Sequence, residues 1–303
     1  MVLTAVKKPK VSALQKKRDV AGYLFIAPAI LGFLLFCMVP MFTSLGISFT
    51  EWNMATPPKF VGLGNYKSML EDELVWKSLR VTMYYTVLAV PLCNVVALLM
   101  AVLLNAKVRG LSVFRTIFYI PSIVPAVAAS ALWMFIFNPY NGLLNTLVAS
   151  VGLRKQQWIY SANQVIPCMA VMAAWGSGST AVIYLAGLQG IPKHLYEAID
   201  VDGGRAWHKF FHITIPMLSP VIFYNIVMGV IGSMQAFTQG YIMTKGGPNN
   251  ASLFYVLLLY NRAFEYSKMG FACAMAWVLF VVIGLLTAIN FYVSNKWVYY
   301  EGA

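Results

Sequence analysis

The sequence predicts an all-α protein, a polytopic transmembrane helical bundle of about six spans, and three observations carry that prediction. Hydrophobic residues make up 60% of the 303-residue chain and charged residues only 11%, whereas a soluble fold needs about 25% charged residues to keep its surface in water. Mean hydropathy is +0.70. The apolar residues also gather in runs long enough to cross a hydrocarbon layer of about 30 Å, which takes about 20 helical residues. Lipid is the solvent this chain expects.

Six runs qualify, at 21–49, 79–104, 113–137, 165–188, 217–238 and 272–294. The first follows Lys7, Lys8, Lys10, Lys16, Lys17 and Arg18. It is too long for the apolar core of a signal peptide and shows no convincing cleavage site, so it reads as a retained span. Pro28, Pro40, Pro91, Pro121 and Pro125 fall within or at the ends of the first three runs. In lipid such breaks survive only where neighbouring protein re-satisfies the freed carbonyls, which argues for spans packed in one bundle. Residues 1–20 and 296–303 then form tails, and 21–295 the membrane domain.

Loop charge sets the expected orientation. With the N-terminus inside, inner segments hold thirteen basic residues and outer loops nine, and the first outer loop adds Glu51, Glu71, Asp72 and Glu73. Both termini are therefore expected in the cytoplasm. The same bias explains the net charge of +12; the basic residues form no cluster or stacking motif suited to nucleic acid. Cys37, Cys93, Cys168 and Cys273 each sit alone in an apolar run and read as small hydrophobes. His194, His208 and His212 share one inner loop without a zincin spacing, so no metal site is expected.

That inner loop, about 191–216, is the most charged interior stretch. Pro192 suits a first helical turn, and Lys193–Val201 supplies good helix formers with Leu195, Ala198 and Ile199 on one side. Gly203 and Gly204 then break the helix, because glycine lets the backbone leave with positive φ. A second short helix is expected at Ala206–Ile213, with Trp207, Phe210 and Phe211 along an apolar face, before Pro216 and Pro220 open the next span. Physics alone leaves two readings: a compact cytoplasmic knob for a partner, or amphipathic helices lying at the membrane surface.

The residues themselves narrow the choice. Glu197-Ala198-Ile199-Asp200-Val201-Asp202-Gly203-Gly204, followed by Ile213-Thr214-Ile215-Pro216, closely resembles the EAA loop of importer permeases: EAA, three residues, G, nine residues, then I-x-L-P. Glu197, Ala198, Gly203, Ile213 and Pro216 fall at matching positions; Ile199, Gly204 and Ile215 replace alanine, alanine and leucine. Tyr241–Pro248 resembles the TxGGP stretch of sugar-type permeases, Phe264 to Gly270-Phe271-Ala272 a later F…xxGxAxA, and Arg115 to Pro121 the opening of their third span. Covering residues 20–295, the likeness points to binding-protein-dependent ABC importer permeases of carbohydrate uptake, close to the maltose, lactose and glycerol-phosphate types. The large insertion and extra helices of the maltose-type subunit are absent, so the compact six-span form is the better comparison.

The resemblance implies a type I ABC importer permease fold, with the EAA loop as a coupling helix seated in a cleft of an ATP-hydrolysing subunit. No GxxxxGK[ST] phosphate loop occurs here; Gly176-Ser177-Gly178-Ser179-Thr180 lacks the lysine. ATP and magnesium are thus expected on a separate partner, and this chain is expected to be non-catalytic and to carry no cofactor. Glu197 becomes the electrostatic anchor, Asp200 and Asp202 assist, and Ala198, Gly203 and Gly204 shape the contact. The other implied partners are a homologous second permease, giving a heterodimer, and an extracytoplasmic binding protein, at a bacterial inner membrane.

Sugars are recognised by aromatic faces and neutral hydrogen-bonding groups. Spans four and five offer Trp175, Gly176, Ser179 and Tyr184, then Asn225, Gly229, Ser233 and Gln235. Small residues at Gly176, Ser179, Gly229 and Ser233 can leave room for a ligand or simply let helices approach; by resemblance these four align with pocket-lining positions. Two other classes are weighed against this. A membrane-embedded enzyme needs a polar catalytic set around a cavity, and the acids here lie outside the spans. A channel or secondary carrier commonly shows inverted repeats, and no clear repeat is visible.

Overall fold

The computed structural model describes residues 13–106 and 110–299. Most of the N-terminal tail, Lys107, Arg109 and residues 300–303 lie outside them, so expectations placed there have no structural counterpart. Among the described residues the chain is helical apart from one two-stranded hairpin.

The first expected span is a long helix: α1 (Ala13–Phe33) passes through a π-helical turn (Leu34–Met38) into α2 (Val39–Ser48). Its apolar surface stays bare, with Phe25 at 87% exposure. A two-residue antiparallel hairpin follows, β1 (Thr50–Glu51) with β2 (Lys59–Phe60), Thr50 facing Phe60. Next comes α3 (Gly64–Glu71). Gly270 packs so close to the Thr50 carbonyl that a Cβ there would collide with it. Only glycine permits that contact.

The axis of the bundle is α4 (Glu73–Asn105), against which three later helices pack, α8 (Val165–Trp175), α9 (Gly178–Gly190) and α12 (Ile215–Met234). Asp72 caps it, accepting from the Leu74 N–H at 2.9 Å and pairing with the Arg262 guanidinium at 2.5 Å. Ala97 and Ala101 are fully buried on its packing face, where small side chains let neighbouring backbones come near. The buried hydroxyls of Ser78, Thr82 and Thr86 bond back to carbonyls three or four residues earlier, so none of the three is stranded.

Two expected spans are not straight crossings. The run at 113–137 forms α5 (Leu111–Ile123) and α6 (Ala126–Ile136), bent by 100°. Val124 is extended immediately before Pro125, as the clash between a proline ring and its predecessor demands. After α7 (Leu143–Ser150), the run at 165–188 is divided into α8 (Val165–Trp175) and α9 (Gly178–Gly190), bent by 51° at Gly176-Ser177.

The expected loop helices are α10 (Lys193–Val201) and α11 (Ala206–Lys209). The second is not a separate helix. It runs through a π-helical turn (Phe210–Thr214) into α12 (Ile215–Met234), making one helix over Ala206–Met234. Pro216 can offer no N–H, and the wider turn just before it takes up the irregularity, with the Ile215 N–H reaching the Phe210 carbonyl.

Beyond α12 the chain forms a π-helical turn (Gly240–Thr244), then α13 (Tyr255–Tyr260), another such turn (Asn261–Glu265) and finally α14 (Met269–Ser294). The Tyr255 N–H donates to Thr82 Oγ1 at 2.8 Å and its hydroxyl to the Met275 carbonyl at 3.0 Å, locking α13 between α4 and α14. Two apolar clusters result, one around α13 and the hairpin end of α4, the other where Ala97, Ala101 and Leu104 meet α9, α10 and α12. Among the described residues four helices are long and apolar enough to cross a membrane, and up to six crossings result if each bent pair is one span.

Candidate functional site

A cavity of about 550 Å³ opens between α4, the bend of α8 and α9, and the far end of α12. Its polar lining is Asn94, Ser177, Thr180, Asn225, Ser233, Gln235, Thr238 and Gln239, beside the rings of Tyr85, Tyr224 and Phe237. Among the described residues none lining it is acidic or basic. The volume falls in the range of small-molecule sites, about 300–1,000 Å³.

Asn94 and Asn225 both line the cavity. The buried Tyr184 hydroxyl donates to Asn94 Oδ1 at 2.6 Å. Asn94 Nδ2 is held by the Val90 carbonyl at 2.8 Å. Asn225 is only 6% exposed, and its Nδ2 has no partner. An orphaned buried donor costs about 1–3 kcal/mol, which a ligand acceptor would return.

Four of the eight sequence-derived pathway residues line this cavity: Asn225, Gly229, Ser233 and Gln235. Gly229 also lets α12 approach α4, since a Cβ there would sit 3.3 Å from Val90. Tyr184 stays outside the lining and bonds Asn94. The other three lie outside the lining: Trp175 packs edge-on to Trp133 at 5.9 Å, Gly176 occupies the bend, and Ser179 is exposed on α9. The bend presents Ser177 and Thr180 instead. Sequence reasoning passed over Asn94, although a lone amide within an apolar run was a visible signal; Ser177 and Thr180 became recognisable only once the bend was known.

At the other end of α9 stands the knob. Leu195, Tyr196 and Ile199 of α10 pack inward, whereas Ala198, expected beside them, stays exposed. The helix ends in a Schellman turn: Gly203, at φ +72°, donates to the Asp200 carbonyl and Gly204 to the Ile199 carbonyl at 2.8 Å. Tyr196 and Thr214 hydroxyls meet at 3.1 Å, and Lys209 pairs with Asp200 at 2.5 Å. Asp200 is thus engaged within the knob. Glu197 and Asp202 are exposed, as are Val201 (87%), Trp207 and Phe211. Glu197 and Asp202 thus stand exposed beside bare apolar side chains.

A bundle of apolar crossings around a neutral cavity, with a helical knob at one end, is the architecture of a membrane permease. Residues 93–298 match the binding-protein-dependent transport system inner membrane components, and the chain belongs to that family. It is 44% identical over 291 residues to the probable ABC transporter permease protein YesP of Bacillus subtilis, spanning 94% of each chain. The arabinooligosaccharides transport system permease protein AraP of Bacillus subtilis is 32% identical, over 92% of this chain and 90% of AraP. The lactose transport system permease protein LacF of Rhizobium radiobacter is also 32% identical, over 94% and 97%. In fold the chain is similar to one in a crystal structure of a bacterial ABC transporter that imports the acidic polysaccharide alginate, with TM-score 0.76 at 21% identity, covering 94% of this chain and 99% of that one. A second alginate transporter structure, in complex with an alginate pentasaccharide-bound periplasmic protein, gives 0.80 at 20% identity, covering 95% and 98%.

Proposed function

We propose that this chain forms half of the translocation pathway of an ATP-driven importer for a saccharide, coupled through residues 191–216 to a separate ATPase. The single observation that carries the reading is the knob: a helix fixed by a Schellman turn and an internal ion pair, leaving Glu197 exposed without an ion pair among the described residues. Such a part transmits motion because it is rigid, and binds because its acid and apolar side chains are free. The uncharged cavity suits hydroxyl-rich solutes, and the transport systems of AraP and LacF are named for arabinooligosaccharides and lactose.

In this reading both termini and the knob face the cytoplasm of a bacterial inner membrane, and a binding protein delivers solute to the opposite face. A homologous second permease completes the pathway. ATP and magnesium reside on the ATPase, and this chain performs no chemistry. The cavity's amides and hydroxyls exchange hydrogen bonds with the passing solute, and its lack of fixed charge keeps that binding weak enough for release. Reconstitution into liposomes tests the proposal. Saccharide uptake should require ATP, the ATPase, the binding protein and a second, different permease. Uptake by this chain without any ATPase would overturn it in favour of a secondary carrier, and full activity with this chain as sole permease would overturn the heterodimer.

A further inference from the structure

We propose that Phe237, Tyr241, Tyr260 and Phe264 form an aromatic track that hands the rings of a saccharide from the bundle surface into the cavity. This rests on the saccharide reading above and assigns it a second, outer binding site. Phe237 lines the cavity. Its ring stacks on Tyr241 with centroids 5.2 Å apart and planes 16° apart, and lies 5.2 Å from Tyr260. Tyr241 and Tyr260 are 5.5 Å apart, and Tyr260 meets Phe264 at 5.1 Å. The outermost ring, Phe264, is 59% exposed. The four rings therefore make one unbroken series from open surface to cavity wall.

Two segments build the track, each supplying a pair four residues apart on a helical turn, the spacing at which side chains meet. Core packing takes up only part of it, with Phe237 and Tyr241 resting against the larger apolar cluster. The neighbouring pair Tyr85–Phe254 shows what core aromatics look like here, both rings buried. The track's rings grade from half-buried to exposed, and neither tyrosine hydroxyl is among the buried polar atoms lacking a partner. An aromatic face takes the CH-rich face of a sugar ring, while the hydroxyls of Tyr241 and Tyr260, with Gln239 beside the cavity, can bond the ring's hydroxyls. Successive rings at similar spacing let a saccharide move from one to the next without a deep trap.

The test uses the complete importer in proteoliposomes, with radiolabelled lactose and an arabino-oligosaccharide mixture as probes. Saccharide imported per ATP hydrolysed should fall about ten-fold in the Tyr241→Leu/Tyr260→Leu double variant, since each aromatic contact is worth a few-fold. Hydrolysis stimulated by the liganded binding protein should persist, and Tyr241→Phe/Tyr260→Phe should restore most of the import. A leucine variant with the wild-type ratio would overturn the track, as would equal loss in the leucine and phenylalanine variants. Loss of stimulated hydrolysis along with import would also overturn it, by marking the rings as packing. If the wild-type complex imports neither probe and no other saccharide, the saccharide reading itself has failed, which no comparison among the variants can mimic.

Discussion

Single side chains divide here into those that hold the protein together and those left free to act. Asp200 and Glu197 differ by one helical turn, yet Asp200 is paired with Lys209 while Glu197 is exposed. An exposed pair is worth at most about 1 kcal/mol, so Asp200→Asn should barely move the melting temperature of the purified complex. Asn225 is the opposite case, a buried amide whose Nδ2 has no protein partner. Replacing it with leucine removes that orphan, so thermal stability should hold or rise while uptake drops about ten-fold, because a passing hydroxyl loses its partner. Melting curves and labelled uptake on the same preparation check both halves; a variant that melts lower and transports normally would reassign Asn225 to structure. Composition and spacing made Asn225, Ser233 and Gln235 legible, since polar groups in an apolar span stand out. They could not separate Ser179 from Ser177, because a bend of 51° decides which serine faces the cavity.

At the scale of elements, the sequence conveyed where helices run better than how they break. The straight helices cover most of the expected runs, because long apolar runs admit little else, although the one ending at Met234 begins eleven residues before the expected 217 and α4 six before the expected 79. Pro125 announced a break in the third run, but a bend of 100° is set by packing of α5 against α9 and of α6 against the turn after α12. The continuity of α11 with α12 was hidden for the same reason, since Pro216 reads as a helix start and the π-helical turn before it leaves no pattern in one sequence. The Gly203 turn, by contrast, was fully legible. Placing valine there forces a β-branched residue to φ +72°, at about 1–2 kcal/mol. Gly203→Val should therefore leave the complex assembled in detergent but lower ATP hydrolysis stimulated by the binding protein, as the knob loses its fixed angle. Wild-type stimulation in that variant would show that the angle does not matter.

For the whole molecule, the proposed importer assigns the bare faces of α1 and α2 to lipid and the knob to a partner subunit. The proposed orientation rests on loop charge and is open to direct measurement: with native cysteines removed, an impermeant thiol reagent applied to whole cells should label Asn249→Cys and spare Lys193→Cys. Labelling of both would invert or abolish the assigned sidedness. The central claim is that Glu197 anchors a separate ATPase, and truncating one partner of a desolvated charge contact costs about 2–5 kcal/mol. The most direct test is recovery of the ATPase with affinity-tagged permease from solubilised membranes, wild type against Glu197→Ala, alongside uptake of labelled saccharide. The account predicts that Glu197→Ala stays in the membrane at normal abundance, brings down little ATPase and supports little uptake. Wild-type recovery and uptake in that variant would contradict it and leave the knob as a pair of helices resting on the membrane surface.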